Sequence, residues 1–367
     1  MRRAIELAQL GRYTNHPNPR VGCVIAQGER IVGEGWHRKW GEPHAEVHAL
    51  REAGDAARGA TAYVTLEPHS YQGRTPPCTD ALIRAGVARV VCGALDPNPK
   101  VLGQGVRQLE AAGVIVQTGL LEDQVRELNP GFEKRMTLGS PRVIVKLAAS
   151  LDGRTALANG ASRWITGEAA RADVQRLRAE AGAVLTGVET VLADDPLLNV
   201  RDPQIELLGR QPLRVILDTR LRTPPGARIL SAGGETLIFT THADGAARRA
   251  LEAAGARVIE APPDENGRVN LGRVLRVLAE NQCNDVLVEA GPTLSGAVLD
   301  QGFADELIVY FAPMLLGPQA RAMANLAMIE RLEDARRYAL MAVDRLDADV
   351  RLRLKRIEAI RGQGSSD

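Results

Sequence analysis

The stretch Pro43-His44-Ala45-Glu46-Val47-His48, completed downstream by Leu66-Glu67-Pro68-His69 and Thr75-Pro76-Pro77-Cys78, organises the first half of this 367-residue chain. A histidine two residues before a glutamate, followed later by Pro-Cys, is the pattern with which zinc nucleobase deaminases gather a metal and a proton carrier. In such a site the metal activates a water, and the glutamate, which is not a ligand, moves protons. His44 behind Pro43 and Cys78 behind Pro77 each stand at an expected helix start, where a proline's missing N–H costs nothing. Two helix starts converging on one point are expected to lower the Cys78 pKa. Where a second cysteine is expected, the chain reads Glu67-Pro68-His69. A competing metal reading pairs His44 with His48 at the i, i+4 spacing of zinc proteases. In those enzymes, however, the glutamate directly follows the first histidine. A packed or solvated His48 is the plainer reading.

Outward from this stretch, the pattern alternates strands and helices. Ala4–Leu10 has helical spacing, Val21–Ala26 and Arg30–Gly33 read as strands, and His44–Ala53 as a helix. Strand Ala62–Leu66 ends at the Glu67-Pro68 bend, and a helix from Pro77 runs through Ala85. Strand Arg89–Ala94, helix Gly105–Ala112, strand Val114–Thr118 and a mostly helical Glu122–Met136 follow. Such alternation predicts a sheet covered by helices. Thr137-Leu138-Gly139-Ser140-Pro141 reads as a boundary, giving domains 1–140 and 141–361 and a frayed tail at 362–367. Beyond it come strand Arg142–Ala149, helix Glu168–Ala181 and strands Ala183–Thr186, Leu213–Asp218 and Thr236–Thr241. Helices near Ala246–Ala253 and at Leu271–Asn281, strand Asp285–Glu289 and helix Thr293–Asp300 continue the pattern. Strands Glu306–Ala312, Arg337–Val343 and Val350–Arg356 close it.

Composition narrows the function classes. Forty-six basic residues against 45 acidic ones leave a formal charge of +1, and aromatics make up 3%. A tRNA- or DNA-editing deaminase needs a basic groove and base-stacking aromatics, and this balance offers neither, so no nucleic-acid partner is expected. With so few aromatics, Ala, Val, Leu and Ile must fill the core. The four cysteines are scattered, unlike a disulfide framework, and Cys23 and Cys92 lie in apolar strand-like runs. The N-terminal MRRAIELAQLGRY has no unbroken apolar core, and no long apolar stretch occurs elsewhere. The expectation is a soluble, cytoplasmic enzyme that does not associate with membranes.

A second constellation lies beyond the boundary. Lys146–Thr155 carries a strand into a polar turn, followed by Ser162-Arg163-Trp164-Ile165-Thr166-Gly167 and Asp194-Asp195-Pro196-Leu197-Leu198-Asn199-Val200-Arg201. Asp194-Asp195 reads equally as a metal-binding pair or an acidic loop before a proline. Val288-Glu289-Ala290-Gly291-Pro292-Thr293-Leu294-Ser295-Gly296 runs a strand into a small-residue turn that opens a helix, a natural diphosphate cradle.

The segments HAEVHALREAGDAARGATAYVTLEP, GRTPPCTDALIRAGVARVV and LDPNPKVLGQGVRQLEAAG resemble the bifunctional riboflavin-biosynthesis deaminase–reductases, and the resemblance runs from the first helix to about residue 355. It implies an α/β chain with a cytidine-deaminase-like N-terminal domain followed by a dihydrofolate-reductase-like C-terminal domain. By resemblance, the zinc ligands fall at His44, His69 and Cys78 and the proton shuttle at Glu46. The family's Glu-Pro-Cys-Ser-His is here Glu67-Pro68-His69-Ser70-Tyr71. Imidazole binds zinc at about 2.0–2.1 Å and thiolate at about 2.3 Å, so the three residues are still expected to hold it. The resemblance also implies an NADPH site lined by Ala148, Trp164, Thr190, Asp194, Thr219 and the loop Gly291, Pro292, Thr293, Leu294, Ser295, Gly296 and Ala297. Ser162, Arg178, Leu198, Arg201 and Glu289 would hold the phosphorylated pyrimidine substrate, Arg178 and Arg201 having the chemistry of a phosphate fork.

The implied function is two steps on one pyrimidine. Hydrolytic deamination of 2,5-diamino-6-ribosylamino-4(3H)-pyrimidinone 5′-phosphate precedes NADPH-dependent reduction of the ribosyl group to a ribityl chain, by a protein expected to be a homo-oligomer. The alternative is a reductase alone, its first domain a zinc-deficient structural or oligomerisation module.

Overall fold

The computed structural model describes residues 1–73, 75–99, 101–242 and 245–357, so the tail expected at 362–367 lies outside the described residues. These residues form two compact units. One comprises Met1–Arg142 with Pro203–Arg210 and Leu275–Asn284; the other comprises Val143–Asp202, Gln211–Val274 and the chain from Asp285 onward. No helix among the described residues is long and apolar enough to cross a membrane.

In the first unit the elements run α1 (Arg2–Gln9), β1 (Gly22–Gln27), β2 (Arg30–Trp36), α2 (Ala45–Ala53), β3 (Thr61–Leu66), α3 (Cys78–Arg84), β4 (Arg89–Ala94), α4 (Gln104–Ala111), β5 (Ile115–Thr118), α5 (Glu122–Arg126) and α6 (Pro130–Leu138). The sheet order is β2-β1-β3-β4-β5, with β1 antiparallel to β2 and β3, and β3, β4 and β5 parallel. Strand side chains alternate between faces. Cys23 and Ile25 therefore meet Ala49, Ala53 and Leu82 in one core, whereas Val24 packs with Ala4 and Leu7 of α1 in another. The mostly helical segment expected over 122–136 is two helices, because Pro130 has no N–H to continue the first and instead occupies the first turn of the second.

Three strand glycines let helices rest on backbone. A Cβ on Gly33 would come within 2.2 Å of the Ala49 carbonyl, and one on Gly35 within 2.3 Å of the Ala45 carbonyl. Ala45, Ala49 and Ala53 line the face of α2 that occupies this space, all buried. On the other face, a Cβ on Gly22 would come within 1.9 Å of the Ala4 carbonyl.

The second unit contains β6 (Arg142–Ser150), β7 (Arg154–Ala156), α7 (Glu168–Glu180), β8 (Ala183–Gly187), α8 (Val188–Asp194), β9 (Leu213–Leu217), α9 (Arg228–Ser231), β10 (Thr236–Thr240), α10 (Gly245–Ala253) and β11 (Ala256–Glu260). After α11 (Leu271–Glu280), shared with the first unit, come β12 (Asp285–Val288), α12 (Pro292–Asp300), β13 (Glu306–Ala312), β14 (Arg321–Ala322), β15 (Tyr338–Leu346) and β16 (Asp349–Arg356). The sheet order is β11-β10-β9-β8-β12-β6-β13-β16-β15. Strands β8 to β11 form parallel pairs, β12 is parallel to β8 and β13 to β6, and β16 pairs antiparallel with β13 and β15. The sequence pattern did not signal β11, a short run of mixed polarity, or α8, which begins directly at the end of β8.

Gly22→Ala is expected to destabilise the protein by about 1–3 kcal/mol, because α1 must lift from β1 to admit the methyl group. Denaturant unfolding followed at the first unit measures this, and an unchanged midpoint would contradict the close contact.

Candidate functional site

The end of β3 and the starts of α2 and α3 meet at one point in the first unit. His44 is the residue before α2, Glu46 lies in its first turn, His69 follows the β3 bend, and Cys78 opens α3. The His44 Nδ1 lies 3.2 Å from His69 Nδ1 and 3.4 Å from Cys78 Sγ, and the donor atoms of all three residues lie within 4.8 Å of one another. Tetrahedral zinc with nitrogen and sulfur donors requires pair separations of about 3.3–3.6 Å, so the two close pairs fit that metal. His69 stands where a thiolate was expected and turns a ring nitrogen to the same point.

Glu46 is 3% exposed and its Oε2 has no hydrogen-bond partner. Burial pushes its carboxyl above the ordinary range. Its carboxyl thus stands beside Cys78 of the donor cluster with one oxygen unpaired. His48, the rival ligand, is not among the clustered donors; its Nε2 is buried without a partner. The expected lowering of Cys78 is not found. Burial, and then the neighbouring Glu46, push this thiol up.

A pocket of about 360 Å³ opens onto these groups, lined also by Trp40, Tyr71, Asp96 and Asn98. Its far wall depends on Glu67. This buried carboxylate accepts the backbone N–H groups of Asp96, Gly103, Gly105 and Val106, at 3.2, 2.9, 2.9 and 3.3 Å. It thereby ties the loop after β4 to the end of β3. Burial pushes Asp96 up to about 6, opposed by the Asn98 N–H it accepts and assisted by Glu67. The sequence reading used Glu67 only as a bend marker and passed over Asp96. A glutamate closing an apolar strand ahead of a glycine-rich loop was the available signal.

The second unit gathers the other expected residues near the strand ends. Thr190, Thr219 and the loop 291–297 follow β8, β9 and β12, with Ala148 on the neighbouring β6. The Gly291 N–H donates to Thr190 Oγ1 at 3.3 Å, joining the starts of α8 and α12. Helix starts beyond parallel strand ends are where dinucleotide phosphates bind, so this arrangement fits a phosphate group. Trp164 is 68% exposed, with the Arg171 guanidinium 4.7 Å from its ring centroid. Arg163 donates to the Asp194 backbone carbonyl at 2.8 Å, and the Asp195 carboxylate accepts the Arg228 N–H. Asp195 and Leu198 both take left-handed backbone angles, φ 41° and 49°, in that loop.

Arg178 is not a free phosphate fork. Its Nε and Nη2 donate to both oxygens of Glu289, at 2.5 and 2.9 Å, and its Nη1 to the Asn199 carbonyl. Burial alone would push Glu289 up, but Arg178, then Lys146, hold it below the ordinary carboxylate range. Arg201 is exposed, with Nη1 on Asn199 Oδ1; Leu198 is buried and Ser162 half-buried nearby in sequence to these loops. Lys146, absent from the expected set, has its Nζ 4.0 Å from Glu289 and 5.9 Å from the Tyr310 ring centroid, and burial lowers its pKa. A lysine within an apolar strand demands such a partner, which is a readable signal.

The model of the cytidine and deoxycytidylate deaminase zinc-binding region matches residues 1–94, and that of the RibD C-terminal domain matches residues 141–362. The chain is 51% identical over 363 residues to riboflavin biosynthesis protein RibD of Escherichia coli (strain K12), covering 96% of this chain and 98% of that protein. It is 45% identical over 367 residues to the Haemophilus influenzae protein of the same name, covering 96% and 95%. Among solved structures, Acinetobacter baumannii RibD, form 1, superposes with a TM-score of 0.91 at 49% identity, covering 97% of this chain and 98% of that one. A Thermotoga maritima diaminohydroxyphosphoribosylaminopyrimidine deaminase/5-amino-6-(5-phosphoribosylamino)uracil reductase superposes with a TM-score of 0.84 at 34% identity, covering 97% of each chain.

Because Asp96 has a folded value of about 6, well above the ordinary aspartate, its ionisation costs stability as pH rises through that value. Asp96→Asn keeps an oxygen for the Asn98 N–H and removes that cost. The variant's melting temperature relative to the parent should therefore be higher at about pH 8 than at about pH 4.5. A difference independent of pH would contradict the burial of that charge.

Proposed function

The chain belongs to the RibD family of riboflavin-biosynthesis proteins, and we propose here how its two sites divide that family's work. It is a bifunctional enzyme, a deaminase and a reductase. We assign deamination to residues 1–140 and reduction to residues 141–361. The deaminase substrate is 2,5-diamino-6-ribosylamino-4(3H)-pyrimidinone 5′-phosphate, and the reductase converts the ribosyl group of the deaminated product to ribityl. The observation that carries the first assignment is the convergence of His44, His69 and Cys78 beside a buried carboxyl with a free oxygen.

Zinc, held by His44, His69 and Cys78, supplies a Lewis acid that makes water a usable nucleophile near neutral pH. Glu46 takes a proton from the incoming water and delivers it to the ring nitrogen. It then carries the hydroxyl proton to the departing amino group, so the water oxygen stays on carbon and ammonia leaves. Burial suits Glu46 to this traffic, since a raised proton affinity brings it nearer the operating pH. Trp40 and Tyr71 at the pocket wall offer flat apolar faces to the pyrimidine.

In the reductase, NADPH supplies the hydride. Ala148, Trp164, Thr190, Asp194, Thr219 and the loop 291–297 would hold and orient it. Ser162, Leu198, Arg201 and Glu289 hold the substrate, with Arg201 for the phosphate. Arg178 acts through Glu289, keeping that carboxylate ionised and fixed. The four cysteines are buried and none is in a disulfide among the described residues, which supports a reducing cytoplasmic setting. Exposed Leu315, Met328 and Leu332 offer apolar surface of the kind a second copy covers, which supports a homo-oligomer.

Purified protein given the diaminopyrimidine phosphate, with zinc and NADPH, should release ammonia and then oxidise NADPH. NADPH oxidation with the deaminated compound, but no ammonia from its precursor, would leave only the reductase. Glu46→Gln should reduce ammonia release by at least about 10²–10⁴-fold with zinc content and reduction unchanged. His69→Ala should lose the zinc, read by metal analysis. Arg178→Lys, which cannot reproduce the paired contact with Glu289, should impair reduction and leave deamination intact, as separate assays of the two half-reactions would show.

A further inference from the structure

The zinc reading leaves open what fixes the two imidazoles. A histidine ligand presents one ring nitrogen to the metal, and which one depends on what holds the other. His44 has its Nδ1 among the donors, 3.2 Å from His69 Nδ1 and 3.4 Å from Cys78 Sγ. Its Nε2 lies 3.3 Å from the Thr75 hydroxyl. His69 Nε2 is buried and makes no hydrogen bond. Among the described residues, Thr75 is thus the one side chain outside the donor set that hydrogen-bonds either imidazole.

We propose that Thr75 is a positioning residue for the metal site: its hydroxyl accepts the Nε2–H of His44 and so commits the Nδ1 lone pair to the metal. This rests on the zinc reading above. Several observations converge on it. A neutral imidazole with Nδ1 as ligand carries its proton on Nε2, and a hydroxyl oxygen is an acceptor for that proton. Thr75 is also joined to the ligand Cys78 only through Pro76 and Pro77. Their locked φ angles, and the extended conformation each proline imposes on the residue before it, leave the segment little freedom. The Thr75 carbonyl accepts the Gly73 N–H at 3.3 Å, pinning the near side of the same turn. One short, stiff segment therefore carries a metal thiolate at one end and the group that orients the first histidine at the other. When the Cys78 end seats at α3, the Thr75 hydroxyl is placed automatically. The orienting group matters more here than in a site with two thiolates, because a thiolate has no tautomer, and two of these three donors are rings that must each be turned correctly.

The test uses the full-length protein and competition with a chromophoric chelator to measure zinc affinity, with the cobalt-substituted spectrum as a second readout. Thr75→Val, nearly the same shape without the hydroxyl, should bind zinc about 10–100-fold more weakly, the loss typical of removing such a partner. Its cobalt ligand-field bands should shift. Thr75→Ser, which restores the oxygen, should recover affinity to within about three-fold of the parent. Equal zinc affinity in the parent and Thr75→Val would overturn the proposal. So would unaltered affinity with a raised KM for the diaminopyrimidine, which would move the hydroxyl into substrate binding. Weakening in both variants alike would overturn it too, since the loop and not the oxygen would then be responsible. A parent protein that takes up no zinc would instead refute the metal reading itself, and this inference with it.

Discussion

The deaminase half depends on one close approach, that of helix α2 to strand β2. Gly33 and Gly35 leave bare backbone on one face of that strand, and Ala45, Ala49 and Ala53 bring the helix down onto it. A single methyl group at either glycine would overlap helix carbonyls by more than an ångström of ordinary contact distance, so the spacing has no slack. Everything at the start of α2 inherits that precision. His44 precedes the helix and Glu46 lies in its first turn, so their placement against His69 and Cys78 is set by how the helix seats rather than by the side chains themselves.

Burial then does different chemical work at each position. Glu46 loses solvent and gains proton affinity, the property that the proposed proton shuttle calls for. Asp96 is raised by the same cause but is tempered by the Asn98 N–H, while Glu67 has four backbone donors for company. Glu289 in the reductase half shows the opposite balance, since Arg178 and Lys146 outweigh its desolvation. Four buried acids thus differ because their neighbours differ.

The exchange of a thiolate for imidazole at position 69 is absorbed by the pocket without loss of the donor cluster. The cost falls on orientation. A sulfur ligand approaches a metal over a wide cone, whereas a ring must be turned, and among the described residues the hydroxyl that hydrogen-bonds a ring of the pair belongs to the segment that also delivers Cys78. Metal site and loop geometry are therefore one construction in this chain.

Much of this was legible in the sequence. The His44-Ala45-Glu46 and Pro76-Pro77-Cys78 motifs sit at helix starts, and strand–helix alternation identified the layered α/β class, because both depend on local spacing and capping. The strand-to-helix turn at 288–296 was likewise legible, as β12 running into α12. The pairing of Arg178 with Glu289 was decided only by the tertiary structure, since nothing local tells a phosphate fork from a buried ion pair, and only a partner 111 positions away settles it. The upward shift of Cys78 and the capture of the 96–106 loop by Glu67 belong to the same class. Desolvation and long-range hydrogen bonds depend on what surrounds a group in space, which sequence spacing does not encode. The sequence named the chemical groups, and packing determined which of them face the reaction and which hold the others in place.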